Sequence, residues 1–325
     1  MREPCVTTLR AAMLLTSASL FACAVPVSFA WFFTWRFLSG GTGGVLMALA
    51  APTVMAAIPP GRRGIAGGAI FTGVGLGIAA SGTLIPLLIR WGLVETWIGL
   101  GTIALVLTAI CWSGWPATST LRPASASIRR ASASTAPLRA LYLEYALNAV
   151  GLVPHMVFLV DYVARDLGRG IQAGSFCWIV FGGGAVIGSM VAGHAGDRIG
   201  FRAALRSAFL IQAAAVAVPL LTTSGAGLLL SSFIVGAFVP GIVAITIGRT
   251  RELIPDDSSQ QAAVWGYCTT AFAIGQAIAG YGFSYIFATV DHAYPVLFAL
   301  AGASLLIALT IDLLMPAAGN KGSRA

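Results

Sequence analysis

Charged residues are scarce in this sequence of 325 residues, where Asp, Glu, Lys and Arg together make up 9%. Soluble globular domains carry about 25% charged residues and about 45–50% apolar ones. Here the hydrophobic share is 58% and the mean hydropathy is +0.88. So few charges cannot cover a soluble surface. The composition therefore excludes an ordinary soluble domain and predicts a protein that crosses a membrane several times.

Cysteine and histidine are too scattered to build a redox or metal site. The five cysteines stand singly, without a Cys-x-x-Cys pair, and the three histidines form no cluster. Neither a disulfide framework nor a bound metal is expected. A nucleotide-binding loop is also missing, because Gly182-Gly183-Gly184 lies within an apolar run and no lysine follows it. We expect no cofactor.

The sequence also lacks a recognisable hydrolytic constellation. A membrane-embedded hydrolase needs a Ser/His pair, paired aspartates or a His-Glu-x-x-His motif. Asp161, Asp197 and Asp312 fall near different predicted helix ends and do not pair within one apolar core. The sequence therefore predicts that this protein is not an enzyme.

The sequence does contain a repeat of itself. One set of small residues recurs 198 positions later: Gly68, Thr72, Gly77, Ala79 and Gly82 become Gly266, Thr270, Gly275, Ala277 and Gly280. An upstream set recurs at an offset of 196, with Phe37 and Gly40 matching Phe233 and Gly236. Residues 138–200 have no counterpart in the first half. Two related apolar halves joined head to tail are typical of membrane transporters.

Ten apolar stretches approach or exceed the length of about 20 residues that a membrane-spanning helix needs. They are 7–25, 29–58, 64–89, 96–115, 138–163, 174–195, 201–221, 225–248, 261–288 and 294–315. The one long connector, 113–137, is rich in Ser, Ala, Thr and Pro and indicates a flexible linker. We predict a four-helix bundle over 1–115, a cytoplasmic linker over 116–137, a six-helix bundle over 138–316 and a cytoplasmic tail over 317–325.

The basic residues predict the orientation. Of the nineteen Lys and Arg residues, fifteen fall on the side that holds both termini and one, Arg36, lies within a span. Only Arg90, Arg165 and Arg169 fall on the other side. This bias predicts that both termini are cytoplasmic. The net charge of +8 then reflects topology, so nucleic-acid binding is not expected.

The N-terminal stretch has a second interpretation, because two arginines followed by an apolar run to Val25 also fit a cleaved signal peptide. The tripeptide at 10–12, Arg-Ala-Ala, matches the one at 202–204 at an offset of 192, and an apolar run follows in both places. This match favours a retained helix.

The segment 193–202 (GHAGDRIGFR) joins two predicted helices. Its motif residues are Gly193, Asp197, Arg198, Gly200 and Arg202. Glycines let the chain reverse, Asp197 is expected to cap the next helix, and the arginines are expected at the level of the lipid headgroups. The pattern G-x-x-x-D-R-x-G-x-R resembles the loop signature of the major facilitator superfamily.

Other segments strengthen this resemblance. Arg36 and the glycines of 37–44 are similar to the superfamily's fourth-helix signature, and 73–82 is similar to its fifth-helix motif. The packing glycines of the second segment are Gly73, Gly77 and Gly82. Its antiporter form has Pro where this chain has Ile78, and this departure weakens any inference of antiport. Residues 145–161 resemble the seventh helix of the uncharacterised YbfB/YjiJ-like branch.

The resemblance implies an all-α membrane protein with helices 3–12 of a twelve-helix fold. It implies a secondary active transporter in a bacterial-type inner membrane, which moves a small solute by alternating access. Helices one and two, with the first loop signature, have no match in the chain. The alternative is therefore an N-terminally truncated, non-transporting protein or a mis-started gene product, which the coding DNA upstream of Met1 would distinguish.

Ionisable residues within a span cost about 2.5–3.5 kcal/mol on insertion scales and are functional candidates by default. The span 138–163 carries one polar face made of Glu144, Asn148, Gly151, His155 and Tyr162. Such a face must line a wet cavity or meet another polar helix. Pro154 predicts a kink in this span. Glu144, Asn148 and His155 are candidates for substrate binding or proton coupling. The alternatives are that His155 is a core histidine bonded to a backbone carbonyl and that Glu144 is a solvated residue at a helix end.

Two polar residues on other spans are further candidates. Arg36 is expected to hold an anionic substrate or to sense a carboxylate, or else to be a structural pin between helix ends. Gln276 is expected to contact substrate, or else to connect helices. Since no nucleotide-binding loop is present, protons are the simplest driving ion. The expected partners are a small solute, protons and the lipid bilayer, and the sequence leaves the oligomeric state open.

Overall fold

The computed structural model describes residues 4–58, 63–115, 136–255, 257–291 and 293–315, and the regular structure in these ranges is helical. Ten helices follow one another: α1 (Pro4–Cys23), α2 (Phe29–Ala56), α3 (Arg63–Leu88), α4 (Leu93–Cys111), α5 (Ala136–Asp166), α6 (Gly170–Ile199), α7 (Phe201–Leu221), α8 (Gly225–Leu253), α9 (Ser258–Thr289) and α10 (Ala293–Leu314). Within the same ranges, nine helices are long and apolar enough to cross a membrane. The predicted all-α membrane fold with ten helices is confirmed.

The chain forms two compact units. The first comprises Met1–Ile70 and Thr83–Pro123, and the second comprises Phe71–Gly82 and Ala124–Ala325. The middle of α3 therefore belongs to the second unit, so the units do not divide at one point of the chain. Most of the predicted linker and all of the predicted tail lie outside the described residues. The linker's last residue, Pro137, lies in the first turn of α5, where proline costs no helical hydrogen bond.

Helix bounds follow the internal repeat. α8 begins at Gly225, 196 residues after α2 begins at Phe29, and α10 begins at Ala293, 200 residues after α4 begins at Leu93. The packing repeats as well. In the first unit α1 packs against α2 and α4, and in the second unit the equivalent α7 packs against α8 and α10. α5 packs against α9 and α10, and α6 packs against α8. The helices α5 and α6 have no described equivalent in the first unit.

Glycines bring the backbones of α6 and α8 into contact. A methyl group at Gly188 would collide with the carbonyl of Ala237, and one at Gly236 would collide with the carbonyl of Phe181. Such close approach is how helices pack where lipid removes most of the hydrophobic driving force. Gly40, the counterpart of Gly236 in α2, has no described atom within 4 Å of its Cβ position. The same face is therefore packed in α8 and open in α2.

α5 is not a regular α-helix throughout. It runs as an α-helix over Ala136–Val153 and then makes π-helical turns over Pro154–Phe158 and Tyr162–Asp166. Across the first turn, the amide of Leu159 donates to the carbonyl of Pro154, one residue further than in an α-helix. Proline lacks an amide proton, so it disturbs the regular ladder at the place where the sequence predicts a kink. π-helical turns of this kind are frequent at functional sites.

Candidate functional site

The polar face of α5 points into the interior of the second unit. Glu144 is 2% exposed, Asn148 and His155 are fully buried, and Gly151 and Tyr162 are buried beside them. The face meets α7, α8 and α10. In the structure, side chains of the neighbouring helices contact this face. The interpretation of Glu144 as a solvated residue at a helix end is wrong.

Asn148 connects α5 to α7. Its Nδ2 donates to Oε1 of Gln212 over 3.0 Å, and both residues are fully buried. Asn148 Oδ1 and Gln212 Nε2 have no partner among the described residues. Buried polar atoms are nearly always hydrogen-bonded, so one acceptor and one donor remain here for a further group.

His155 connects α5 to α8 and α7. Its Nε2 lies 2.7 Å from Ser231 Oγ, and Ser231 Oγ donates to the carbonyl of Ala215 over 2.6 Å. The hydroxyl has one proton and gives it to this carbonyl, so Nε2 of His155 is the donor to Ser231. The carbonyl is available because residue 219, its α-helical partner, is Pro219. Nδ1 of His155 is then an acceptor, and it has no partner in the described structure.

His155 thus matches neither sequence interpretation fully. It lies in the core and reaches a backbone carbonyl, as the structural alternative predicts, but it does so through Ser231. The ring of Phe298 on α10 packs edge-on against the imidazole at 5.4 Å between centroids.

Glu144 lies at the opposite end of the polar face, in a charged environment. Arg202 and Arg206 on α7, Arg249 on α8 and Asp312 on α10 all act on its carboxyl group electrostatically. Its Oε1 has no hydrogen-bond partner within the described ranges. A buried carboxyl group with a free oxygen among three guanidinium groups is the clearest candidate for exchangeable proton binding.

The neighbouring arginines hold the C-terminal end of α10. Arg202 Nε lies 3.4 Å from Asp312 Oδ2, and its Nη2 donates to the carbonyls of Asp312, over 2.8 Å, and of Met315. Arg206 binds the same carboxylate oxygen through Nε and donates to the Asp312 carbonyl over 3.1 Å. Cations at the end of a helix satisfy its last carbonyls and oppose its dipole.

The loop motif folds as a one-residue turn. α6 continues to Ile199, Gly200 takes a left-handed φ of +83°, and α7 begins at Phe201. The amide of Phe201 donates to Oε1 of Glu252, at the end of α8, over 2.7 Å. The predicted cap by Asp197 is therefore wrong, because α6 continues past Asp197 and leaves its side chain exposed.

The other motif residues have different surroundings. Arg198 is exposed, a Cβ at Gly193 would meet open space, and Arg202 binds Asp312. In α3, Gly73 and Gly77 have no described atom within 4 Å of a Cβ position, whereas one at Gly82 would lie 2.9 Å from the Ile179 side chain.

Arg36 and Gln276 make weak contacts with the described residues around them. Arg36 is exposed on α2 of the first unit, and its guanidinium carbon lies 5.5 Å from the ring centroid of Trp97 on α4. This cation–π geometry fits the structural pin more than an anion site. Gln276 is half-buried on α9, with Nε2 3.5 Å from the sulfur of Met156 on α5, and so connects two helices.

Sequence reasoning missed residues that contact or neighbour the polar face of α5. Ser231 gave no sequence indication, because serine in a small-residue helix is ordinary. The sequence predicts only that Asp312 lies near a helix end and that Arg206 is one of the cytoplasmic basic residues. Charged residues make up only 9% of the sequence, so the charge of Asp312 and Arg206 was the signal that could have marked them as candidates.

A cavity of about 200 Å³ lies between α8 and α9. Its walls are formed by Ile247, Thr250, Arg251, Gln261, Ala262 and Trp265. The predicted site residues do not line it.

Residues 1–313 match a family described as "Uncharacterised MFS-type transporter YbfB". No curated protein matches the sequence. Similar solved structures include the transporter FucP in its outward conformation, with a TM-score of 0.64, 14% identity, and coverage of 95% of this chain and 82% of that one.

Two further solved structures are similar in fold. A structure of the E. coli fucose:proton symporter FucP has a TM-score of 0.65 at 14% identity and covers 95% of this chain and 82% of its own. A bacterial homologue of the iron transporter ferroportin, in its outward-facing state, has a TM-score of 0.58 at 15% identity and covers 96% of this chain and 83% of its own.

Proposed function

The chain belongs to the family of MFS-type transporters typified by YbfB, and we propose that it moves a small solute across a membrane by alternating access, driven by protons. The family match over residues 1–313 carries the transporter part of this proposal. Two compact units built on one internal repeat support alternating access, since many transporters work by rocking such repeats.

Proton coupling is supported by the polar face of α5. Glu144 and His155 are ionisable, buried and on a single helix, and each has an atom without a partner in the described residues. Intramembrane ionisable residues of this kind mark proton relays and substrate pathways. A protein of the same fold is a fucose:proton symporter, so this architecture has a precedent for proton-driven transport. Asn148 and Gln276 are the proposed polar contacts to solute or water.

The proposed location is a bacterial-type cytoplasmic membrane, with both termini on the cytoplasmic side. The bias of fifteen basic residues against three supports this orientation. The charged cluster around Glu144 then lies at the cytoplasmic end of the second unit, and the first π-helical turn of α5 lies deeper in the membrane.

Everted membrane vesicles provide the test. A respiration-driven proton gradient quenches an acridine dye, and a panel of sugars, carboxylates and cationic drugs is added one at a time. We expect at least one solute to restore fluorescence, and Glu144→Gln to abolish that response. Glu95→Gln, at an exposed carboxylate in the first turn of α4, is the matched control. Identical traces from vesicles with and without the protein, across the whole panel, would reject the proposed proton-driven transport of these solutes.

A further inference from the structure

The charges around Glu144 do not balance in pairs. Arg249 binds Glu252, with Nη1 2.8 Å from Oε2, so these two neutralise each other. Arg202 and Arg206 both bind the single carboxylate of Asp312. Three guanidinium groups therefore share two paired carboxylates, and the cluster has one positive charge in excess. Glu144 is a third carboxyl group, and it interacts electrostatically with all three arginines.

The shared ion pair is largely removed from water. The side chain of Asp312 is 5% exposed, that of Arg202 is 17% exposed and that of Arg206 is 33% exposed. Charge-assisted bonds in such surroundings are strong, and removing one partner of a buried pair is costly. This shared pair holds the end of α10 against the start of α7.

Each helix packed around Glu144 contributes a titratable or charged group. These are Arg202 and Arg206 from α7, Arg249 from α8, Cys268 from α9 and Asp312 from α10. Glu144 itself makes no ion pair within the described residues, and its Oε1 is unpartnered. An ionised carboxylate buried in this way would need a guanidinium partner. The described arrangement, in which Glu144 has no guanidinium partner, is therefore the one that a protonated Glu144 favours.

We propose that Glu144 and Asp312 are alternative partners for the same arginines, and that a proton on Glu144 decides between them. When Glu144 carries the proton, Arg202 and Arg206 both remain on Asp312 and hold the end of α10. When the proton leaves to water, Glu144 becomes an anion and draws one of the two guanidinium groups from Asp312. The excess positive charge is then neutralised, and the end of α10 loses part of its hold.

This inference rests on the proposed proton-coupled transport for its purpose, but its test does not need a solute. Hydrogen exchange of the full chain in lipid nanodiscs, followed by mass spectrometry, reports the amides at the end of α10, including that of Met315, which bonds the carbonyl of Ile311. Exchange is measured from acidic to alkaline buffer and corrected for the intrinsic dependence on pH. For the unmodified chain we expect protection to fall by about tenfold as the buffer becomes alkaline, as for a local opening.

The variants separate the two carboxylates. In Glu144→Gln the amides at the end of α10 are expected to stay protected at every pH. In Asp312→Asn they are expected to lack this protection at every pH. Glu95→Gln should follow the unmodified chain. If Asp312→Asn does not fold, Arg206→Gln replaces it: Asp312 then keeps only one arginine, so protection at acidic pH should be lower than in the unmodified chain.

The possible outcomes also separate this inference from the proposed function. A pH response that persists in Glu144→Gln, or protection that is constant in the unmodified chain, would overturn the exchange of partners. If solute-driven fluorescence changes were still observed, the transporter proposal would stand without it. If the exchange response were as expected but no solute changed the fluorescence, the exchange of partners would stand and the transporter proposal would fall.

Discussion

Ser231→Ala tests the hydrogen-bond relay from His155 to α7. The substitution removes one hydroxyl that serves two buried groups, Nε2–H of His155 and the carbonyl of Ala215. Each buried group left without a partner costs about 1–3 kcal/mol, so we expect the free energy of unfolding to fall by about 2–6 kcal/mol. The carbonyl has no helical replacement donor, because Pro219 stands where that amide would be.

The neighbouring residue provides a matched control. Ser232 is also fully buried, but its hydroxyl donates over 2.8 Å to Leu228, four residues earlier in the same helix. Ser232→Ala leaves the Leu228 carbonyl with its backbone partner, so we expect the free energy of unfolding to fall by about 1 kcal/mol or less. Ser231→Thr keeps a hydroxyl and should retain most of the stability.

Thermal unfolding of the purified variants in detergent, followed by tryptophan fluorescence, makes the comparison. The expected order of melting temperatures is unmodified chain, then Ser232→Ala, with Ser231→Ala clearly lowest. Equal melting temperatures for the two alanine variants would refute the relay and would assign His155 a packing role only.

Two further stability predictions follow from the second unit. Gly188→Val should reduce the yield of folded protein or lower the free energy of unfolding by at least about 1–3 kcal/mol, because the new side chain would collide with the backbone of α8. Gly193→Val has open space and should be tolerated. Fluorescence-detected size-exclusion chromatography compares the two variants. Gln212→Leu should destabilise by about 1–3 kcal/mol because it leaves Nδ2 of Asn148 unpaired, and the double variant with Asn148→Leu should regain most of that loss. A double variant that melts below Gln212→Leu alone would contradict the pairing.

The helices could be predicted from sequence because the membrane makes the requirement local. A span needs a run of apolar residues, and such a run is visible without knowledge of its neighbours. α7 agrees with its predicted bounds at both ends, 201 and 221. The repeat likewise predicted the spacing of α2 and α8. The clustering of polar residues on one face of α5 followed from period alone, because a helix with 3.6 residues per turn places Glu144, Asn148 and His155 together.

The partners of that face could not be predicted, because they depend on which helices pack together. Gln212 lies 64 residues from Asn148, and Ser231 lies 76 residues from His155. Nothing local links them. The error at Asp197 has a local cause: the sequence places a turn after the glycines, whereas α6 continues to Ile199 and Glu252 of another helix takes the amide of Phe201. A cap from a distant helix leaves no pattern within the motif itself.

A buried polar atom without a partner costs stability, so the α5 face favours the binding of a further polar group. Here Glu144, Asn148, Gln212 and His155 each keep one atom without a described partner. Glu144 and His155 are eleven residues apart, about 16 Å along the helix, which is too far for direct proton transfer. The Asn148–Gln212 pair lies between them, with one free acceptor and one free donor where a water molecule can bind. The double leucine variant separates structure from function, because it should fold nearly normally and yet abolish the solute-driven fluorescence change. Full transport by a stable double variant would show that protons bypass this face.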